Sequence, residues 1–277
     1  MINNTEKKKN IKLFQIFYDD ITKKKIDNKC IPLDNSKNIY RDWYEFWPIL
    51  NFINTNELVN ETWYGFFSTK FEDKTGKQFE FIQKVLEKNN NIADVAIFSS
   101  GWDQICYFQN VFEQGEFWHK GIINETENFL KRINYDINLV DMVGDFQTSV
   151  FSNYLVAKKN FWIEWKNIAS LFFEYCNLSN ASKANSLTTY SNSLAPMKAF
   201  IQERLPSLVL TKNKYNVLAL DETENGPIYT RLFEDNIEVR RHLKNCELMK
   251  REYNKTKDII YLNEYRKIRK KIILKKI

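Results

Sequence analysis

Residues 93–100 read ADVAIFSS. An uninterrupted apolar run closed by polar residues suits a strand buried on both faces, and such a strand needs a sheet covered by helices on either side. The flanking sequence offers the partners. IKLFQIFY (11–18) is a second apolar, β-rich run, ended by Asp19 and Asp20, and IPLDN (31–35) is a short extended piece. ETWYGFFSTKF (61–71) reads as a strand in which Gly65 permits a close backbone approach. YNVLAL (215–220) reads as a last strand, and DMVGDFQTSVFSNYLVA (141–157) as extended.

Helical patterns alternate with these runs. The spacing predicts a helix within 41–53 that starts or kinks at Pro48, a short amphipathic helix over 78–88, and another over 125–133. A longer helix is expected over 160–176, with apolar residues at 161, 165, 168, 171, 172 and 175. The segment 195–210 reads as a helix interrupted at Pro206, and the Ser/Asn-rich 177–193 as a loop or lid. Strands alternating with helices predict an α/β fold with at least part of the sheet parallel, whose ligand crevice lies beyond the carboxyl ends of the strands.

One stretch combines acids and rings at such a strand end. FSSGWDQICYFQNVFEQGEFWHKG (98–121) carries Asp103, Glu113, Glu116 and His119 among Trp102, Tyr107, Phe108, Phe112, Phe117 and Trp118. Carboxylates can hold a divalent cation beside phosphates or act as a general base. Gln104, Asn110, Gln114 and Trp118 suit sugar recognition, because amides and carboxylates bind hydroxyls while rings stack on apolar sugar faces. The competing reading makes the acids helix caps and ion pairs, and places Tyr107, Phe108, Val111 and Phe112 on one buried helix face.

Several chemistries are excluded. There is no Walker lysine loop, Gly-x-Gly-x-x-Gly, His-Glu-x-x-His, Gly-x-Ser-x-Gly or EF-hand loop. Two histidines cannot build a multi-histidine metal site, and the four separated cysteines form no Cys-x-x-Cys pair. Reduced thiols, a polar opening MINNTEKKKN and the lack of a long apolar run predict a cytoplasmic chain.

The net charge of +6 is unevenly spread. From Arg240 to Ile277 there are 14 Lys/Arg against 4 Asp/Glu, a net of +10, which leaves the preceding 239 residues at −4. In 255–277, Ile259, Ile260, Leu262, Tyr265, Ile268, Ile272 and Ile273 can share one face of a basic amphipathic helix. Such a helix can lie on an anionic membrane, pack on the body, or remain a solvated tail. An acidic body without a recognition motif argues against nucleic acid as a partner. The expected division is a domain over 1–225 and a basic helical extension over 226–277.

The blocks FQIFYDD, IPLDN, WYEFWPI, WYGFFSTKFEDKTG, ADVAIFSSGWDQ, NVFEQGEFWHKGI, TSVFSNYLVAKKNFWIEW and APMKAFIQERLPSLVL follow one another across 11–210. In that order they resemble bacterial glycosyltransferases of surface-polysaccharide (capsule and lipopolysaccharide) loci. More distantly, Tyr64-Gly65-Phe66, Asn153-Tyr154-Leu155-Val156 and Ala199-Phe200-Ile201-Gln202-Glu203-Arg204-Leu205 resemble blocks of the lipopolysaccharide-type glycosyltransferases. The resemblance implies a GT-A-like (Rossmann-like) fold: a mixed, mostly parallel sheet flanked by helices, here with the basic helical tail added.

It also implies a nucleotide-sugar donor and a glycan or lipid-linked acceptor. The donor would lie against Gln15, Tyr18, Tyr64, Gly65, Ser68, Lys70, Lys74 and Arg204, the last as a phosphate or structural partner. The acceptor would meet Glu113, Gln114, Trp118 and Asn153. Glu203, Glu116 or His119 would act as base. The usual Asp-x-Asp metal motif is absent, so either Asp103 alone holds Mn²⁺ or Mg²⁺ with the diphosphate, or the reaction is metal-independent and Lys70, Lys74 or Arg204 neutralises the leaving group. The tail would hold the enzyme peripherally on the inner membrane face. The alternatives are a non-catalytic sugar- or partner-binding protein that kept the fold, and a metal-dependent phosphohydrolase using the same acids.

Overall fold

The structure, a computed structural model, describes residues 10–178, 183–190 and 193–275. In chain order the elements are β1 (Ile11–Phe17), α1 (Asp20–Lys23), β2 (Ile31–Asp34), α2 (Phe46–Thr55), β3 (Trp63–Ser68), α3 (Phe71–Thr75), α4 (Phe79–Asn89), β4 (Val95–Ile97), α5 (Trp102–Tyr107), α6 (Val111–Trp118) and α7 (Ile122–Arg132). They continue with β5 (Leu155–Ala157), α8 (Lys159–Leu178), β6 (Leu187–Tyr190), β7 (Ser193–Pro196), α9 (Met197–Gln202), α10 (Leu205–Lys212), β8 (Val217–Ala219), α11 (Ile237–Thr256) and α12 (Ile259–Arg269).

Six strands form one sheet in the order β2-β1-β3-β5-β4-β8. β1 runs parallel to β2 and β3, β4 runs parallel to β8, and β5 is antiparallel to both neighbours, β3 and β4. The chain is thus α/β with a mostly parallel sheet, as the alternating pattern predicts. Strand side chains divide by parity between two cores. Phe14, Ile16, Tyr64, Phe66, Val95 and Ile97 face the core built with α2, α7, α8 and α10. Leu13, Trp63, Phe67 and Ala96 face the smaller core with Phe71, Phe79, Ile82 and Leu86 of α3 and α4. The same parity places Tyr18, one residue past β1, against the first core. Gly65 sits where a Cβ would come 2.8 Å from both Phe67 and Val156, so the close approach expected there is a packing requirement of the sheet.

Three local expectations are corrected. Within 141–157 only Leu155–Ala157 forms a strand; the preceding residues run as turns held by Asp145, whose carboxylate accepts from the backbone N–H of Gln147 at 2.9 Å and the hydroxyl of Thr148 at 2.9 Å. The loop read over 177–193 contains β6, which pairs antiparallel with β7; residues 179–182 and 191–192 lie outside the described residues. The break in 195–210 falls at Glu203 and Arg204, ahead of Pro206. Proline has no N–H for the carbonyl of Gln202 and its ring would collide there, so the first helix ends at Gln202 and Pro206 sits in the first turn of the next.

The basic extension is part of the fold. Residues 255–277 do not form one helix: Lys257 adopts a left-handed conformation (φ 59°) that ends α11, and Asp258 caps α12 by accepting from the N–H of Ile260 at 2.9 Å. The resulting hairpin packs on α5 and buries Leu243, Cys246, Leu262, Tyr265 and Ile272 against Trp102, Ile105, Tyr107 and Phe108. Lys250 is fully buried, its ammonium donating to the carbonyls of Ile105 and Phe108. Half of the apolar face expected for a membrane is therefore occupied by the body. Among the described residues no helix is long and apolar enough to cross a membrane.

Candidate functional site

β2 lies on one side of β1 and β3 on the other, so the chain reverses direction across the sheet between them. In open α/β sheets the crevice at the carboxyl ends of such a pair is where ligands bind. A cleft of about 370 Å³ opens at that place. Tyr18 and Asp19 after β1 form one wall, and Ser68, Thr69, Lys70 and Lys74 after β3 another. Tyr44 and Glu45 ahead of α2, with Ala195 of β7, Ala199 and Phe200 of α9 and Glu203 just after it, complete it. A second cleft of about 520 Å³ shares Tyr18, Asp19 and Tyr44 and adds Asn35, Ser36, Asn38 and Arg41. Together they make a groove along the ends of β2, β1 and β3.

The polar groups of the cleft are arranged by local rules. Asp19 caps α1, accepting from the N–H of Thr22 at 2.7 Å, which holds its carboxyl below the usual range. Ser68 exchanges a hydrogen bond with the Tyr154 hydroxyl at 3.0 Å, and the ammonium of Lys74 lies 5.9 Å from the Tyr154 ring centre. Burial drives the Tyr18 phenol far above its ordinary pKa, and the Glu45 carboxylate to which it donates drives it further, so Tyr18 remains a hydrogen-bond donor.

Glu203 is the residue that the Pro206-induced break turns into the cleft. Burial pushes its carboxyl up to about 7; Arg204 and Lys74 oppose the rise, and Glu45 adds to it. A carboxyl poised there can exchange a proton at neutral pH. The next residue points the other way. Arg204 is buried and donates to the carbonyls of Val111 at 2.8 Å and Phe200 at 2.7 Å and to the side-chain carbonyl of Gln114 at 2.5 Å. Its guanidinium ties α9 to α6 and is the structural partner of the two roles expected for it.

Five of the residues expected from sequence therefore line one cleft: Tyr18, Ser68, Lys70, Lys74 and Glu203. Gln15, Tyr64 and Gly65 lie within the strands beneath it. Gln15 bridges the sheet end by donating to the carbonyl of Ser68 and accepting from the N–H of Asp27, and the Tyr64 hydroxyl accepts from the N–H of Val59 at 2.9 Å. His119 stacks on Phe200 with ring centres 3.6 Å apart but does not line the cleft, and burial together with Arg204 lowers its pKa to about 4, so it is neutral at pH 7.

The other residues expected to hold a metal, act as base or meet an acceptor lie outside this cleft. Glu116 caps α7 by accepting from the N–H groups of Gly121 and Ile123. Glu113 pairs with Arg269 of α12 at 2.8 Å, and Gln114 accepts from Arg204 and donates its side-chain N–H to the side-chain carbonyl of Gln104 at 2.8 Å. Asp103 is buried, accepts from the N–H of Thr230 at 2.9 Å, and is pushed up to about 6 by desolvation. Trp118 packs edge-on against Phe117, and Asn153 sits buried at a left-handed turn (φ 54°). None of these six lines the cleft. Among the described residues no group of three or more His, Cys, Asp or Glu could hold a metal ion.

Sequence reasoning did not single out Tyr44 and Glu45. They fall in the block WYEFWPI just ahead of Pro48, where the sequence predicts a helix to start or kink; α2 begins at Phe46 with Pro48 in its first turn and leaves both residues at its mouth. Tyr44 has φ 46° and ψ −128°, a conformation that side chains rarely adopt and that tends to mark functional sites. Comparison with protein-family models, with curated proteins and with solved structures gives no match to this chain.

Proposed function

We propose that the protein is a glycosyltransferase that binds a nucleotide-sugar in the groove at the ends of β2, β1 and β3 and transfers the sugar to a hydroxyl of a surface-polysaccharide or lipid-linked glycan. The observation that carries the reading is the convergence, at the crevice between β1 and β3, of two lysines with a carboxyl poised near neutrality. The GT-A-like assignment belongs to the same proposal and is supported by the mostly parallel sheet with its single antiparallel strand, β5.

In this reading Lys70 and Lys74 meet the diphosphate, and Tyr18 and the Ser68–Tyr154 pair supply hydrogen bonds to the donor. Glu203 accepts the proton of the acceptor hydroxyl as its oxygen bonds to the anomeric carbon. The bond from that carbon to the diphosphate breaks, and the lysine charges stabilise the leaving anion where it develops. Glu116 and His119 drop out as bases, since one caps a helix and the other lies behind Phe200.

A thermal-shift screen against UDP-, GDP-, CMP- and dTDP-sugars, each with Mn²⁺, Mg²⁺ or EDTA, tests the proposal. A ligand at about a hundred times its dissociation constant stabilises a fold by roughly 2.7 kcal/mol. A shift with one nucleotide class fixes the donor class, and its response to EDTA decides metal dependence. No shift with any donor in a folded sample refutes the reading.

A further inference from the structure

We propose that the turn of the C-terminal helical hairpin, residues 255–260, is a docking tip that inserts into the surface of an anionic lipid bilayer. The hairpin divides the apolar residues of its tail into two sets. Leu262, Tyr265 and Ile272 are buried against the body, whereas Ile259 and Ile260 remain 53% and 61% exposed, side by side in the first turn of α12. Every residue from Lys255 to Ile260 is exposed. Neither isoleucine belongs to a core cluster of the described residues, and each leaves more than half of its surface to solvent.

The charges divide in the same way. Arg240, Lys244, Arg251, Lys267 and Arg269 pair with Asp235, Glu224, Glu247, Glu264 and Glu113, and Lys250 is consumed in the interior. Lys255 and Lys257, within the tip, have no ion pair among the described residues, nor do the exposed Arg266, Lys270 and Lys271 at the other end of α12. Two exposed isoleucines beside Lys255 and Lys257, with Asp258 spent on the cap of α12, match the boundary of an anionic bilayer, where the stems and isoleucines enter the acyl region and the ammonium groups stay with the headgroups. The body, at a net of −4 outside the last 38 residues, is repelled by the same surface. Contact through the tip would therefore hold the body away from the lipid.

The test is co-sedimentation of the intact protein with vesicles of phosphatidylglycerol and phosphatidylcholine, against vesicles of phosphatidylcholine alone. Binding to the anionic vesicles is expected, and little to the neutral ones. Ile259→Ser/Ile260→Ser should weaken it at least tenfold, and Lys255→Gln/Lys257→Gln should weaken it and flatten its salt dependence. All four positions are exposed, so an unchanged thermal midpoint verifies that the hairpin stays folded. No binding to anionic vesicles overturns the proposal. So does full binding by the isoleucine variant, which would mean electrostatic adhesion without insertion. No ligand of the cleft enters this assay, so its outcome and that of the donor screen stand apart.

Discussion

Replacing Glu203 by Gln removes the ionisable group at the foot of the cleft and should change how stability depends on pH. In the folded protein the carboxyl rises from 4.5 to about 7, with burial as the main cause. At about 1.4 kcal/mol per tenfold change, the rise amounts to about 3 kcal/mol. The sign follows from linkage. Below about pH 4.5 the carboxyl is protonated in both states and its contribution is fully present. As pH rises, the unfolded chain loses the proton first, and stability falls until the folded carboxyl also ionises near pH 7.

Asp103, pushed up to about 6, adds a fall of the same sign, and His119, lowered to about 4, adds a rise between pH 4 and its ordinary 6.5. Both are common to wild type and E203Q, so the difference between the two proteins isolates Glu203. Urea unfolding followed by tryptophan fluorescence from pH 4 to 8.5 is the assay. Relative to E203Q, the wild type should lose about 3 kcal/mol between pH 4.5 and 7 and then level off. A difference that stays constant across that range refutes the buried-carboxyl account.

Arg204→Ala strips donors from Val111, Phe200 and Gln114 in the interior, which should cost about 3 kcal/mol or more, and Arg204→Lys should not restore it because an ammonium lacks the planar fork; thermal unfolding of the three proteins checks both statements. Tyr44→Gly relieves a backbone conformation that costs of order 1–3 kcal/mol while deleting a ring that is 41% exposed and lines both clefts. Its thermal midpoint should hold or rise as donor affinity falls; a lower midpoint with unchanged affinity would contradict the strain assignment. Glu113→Gln weakens the tie to Arg269, so hydrogen exchange should quicken in α12 and leave the strands around the cleft unchanged.

The sheet was legible because its signals are local. Parity and continuous apolar runs locate β1, β3 and β4, and the crevice follows from where those strands end. Pro206 announced a helix break, but its position two residues earlier, which aims Glu203 one way and Arg204 the other, depends on which carbonyl the proline ring would strike. The acid-rich stretch misled for a physical reason. A carboxylate that caps a helix, as Glu116 does, and one that holds substrate are identical in sequence, and only the donors around them differ. Glu45 was hidden by the opposite problem. It stands just ahead of a helix start that Pro48 announces, but nothing in the sequence shows that the residue before that helix faces the crevice. The tail was half legible: its amphipathic face was visible, while its division between body and solvent required the turn at Lys257.

The most direct test of the central claim is the affinity, by titration calorimetry, of the nucleotide-sugar that gives a thermal shift, measured for wild type, Lys70→Ala/Lys74→Ala and Glu113→Gln/Glu116→Gln. Binding in the crevice between β1 and β3 predicts a loss of at least tenfold for the lysine variant and wild-type affinity for the glutamate variant. Undiminished binding by the lysine variant, together with loss in the glutamate variant, would contradict the account and move the site to the acid-rich stretch.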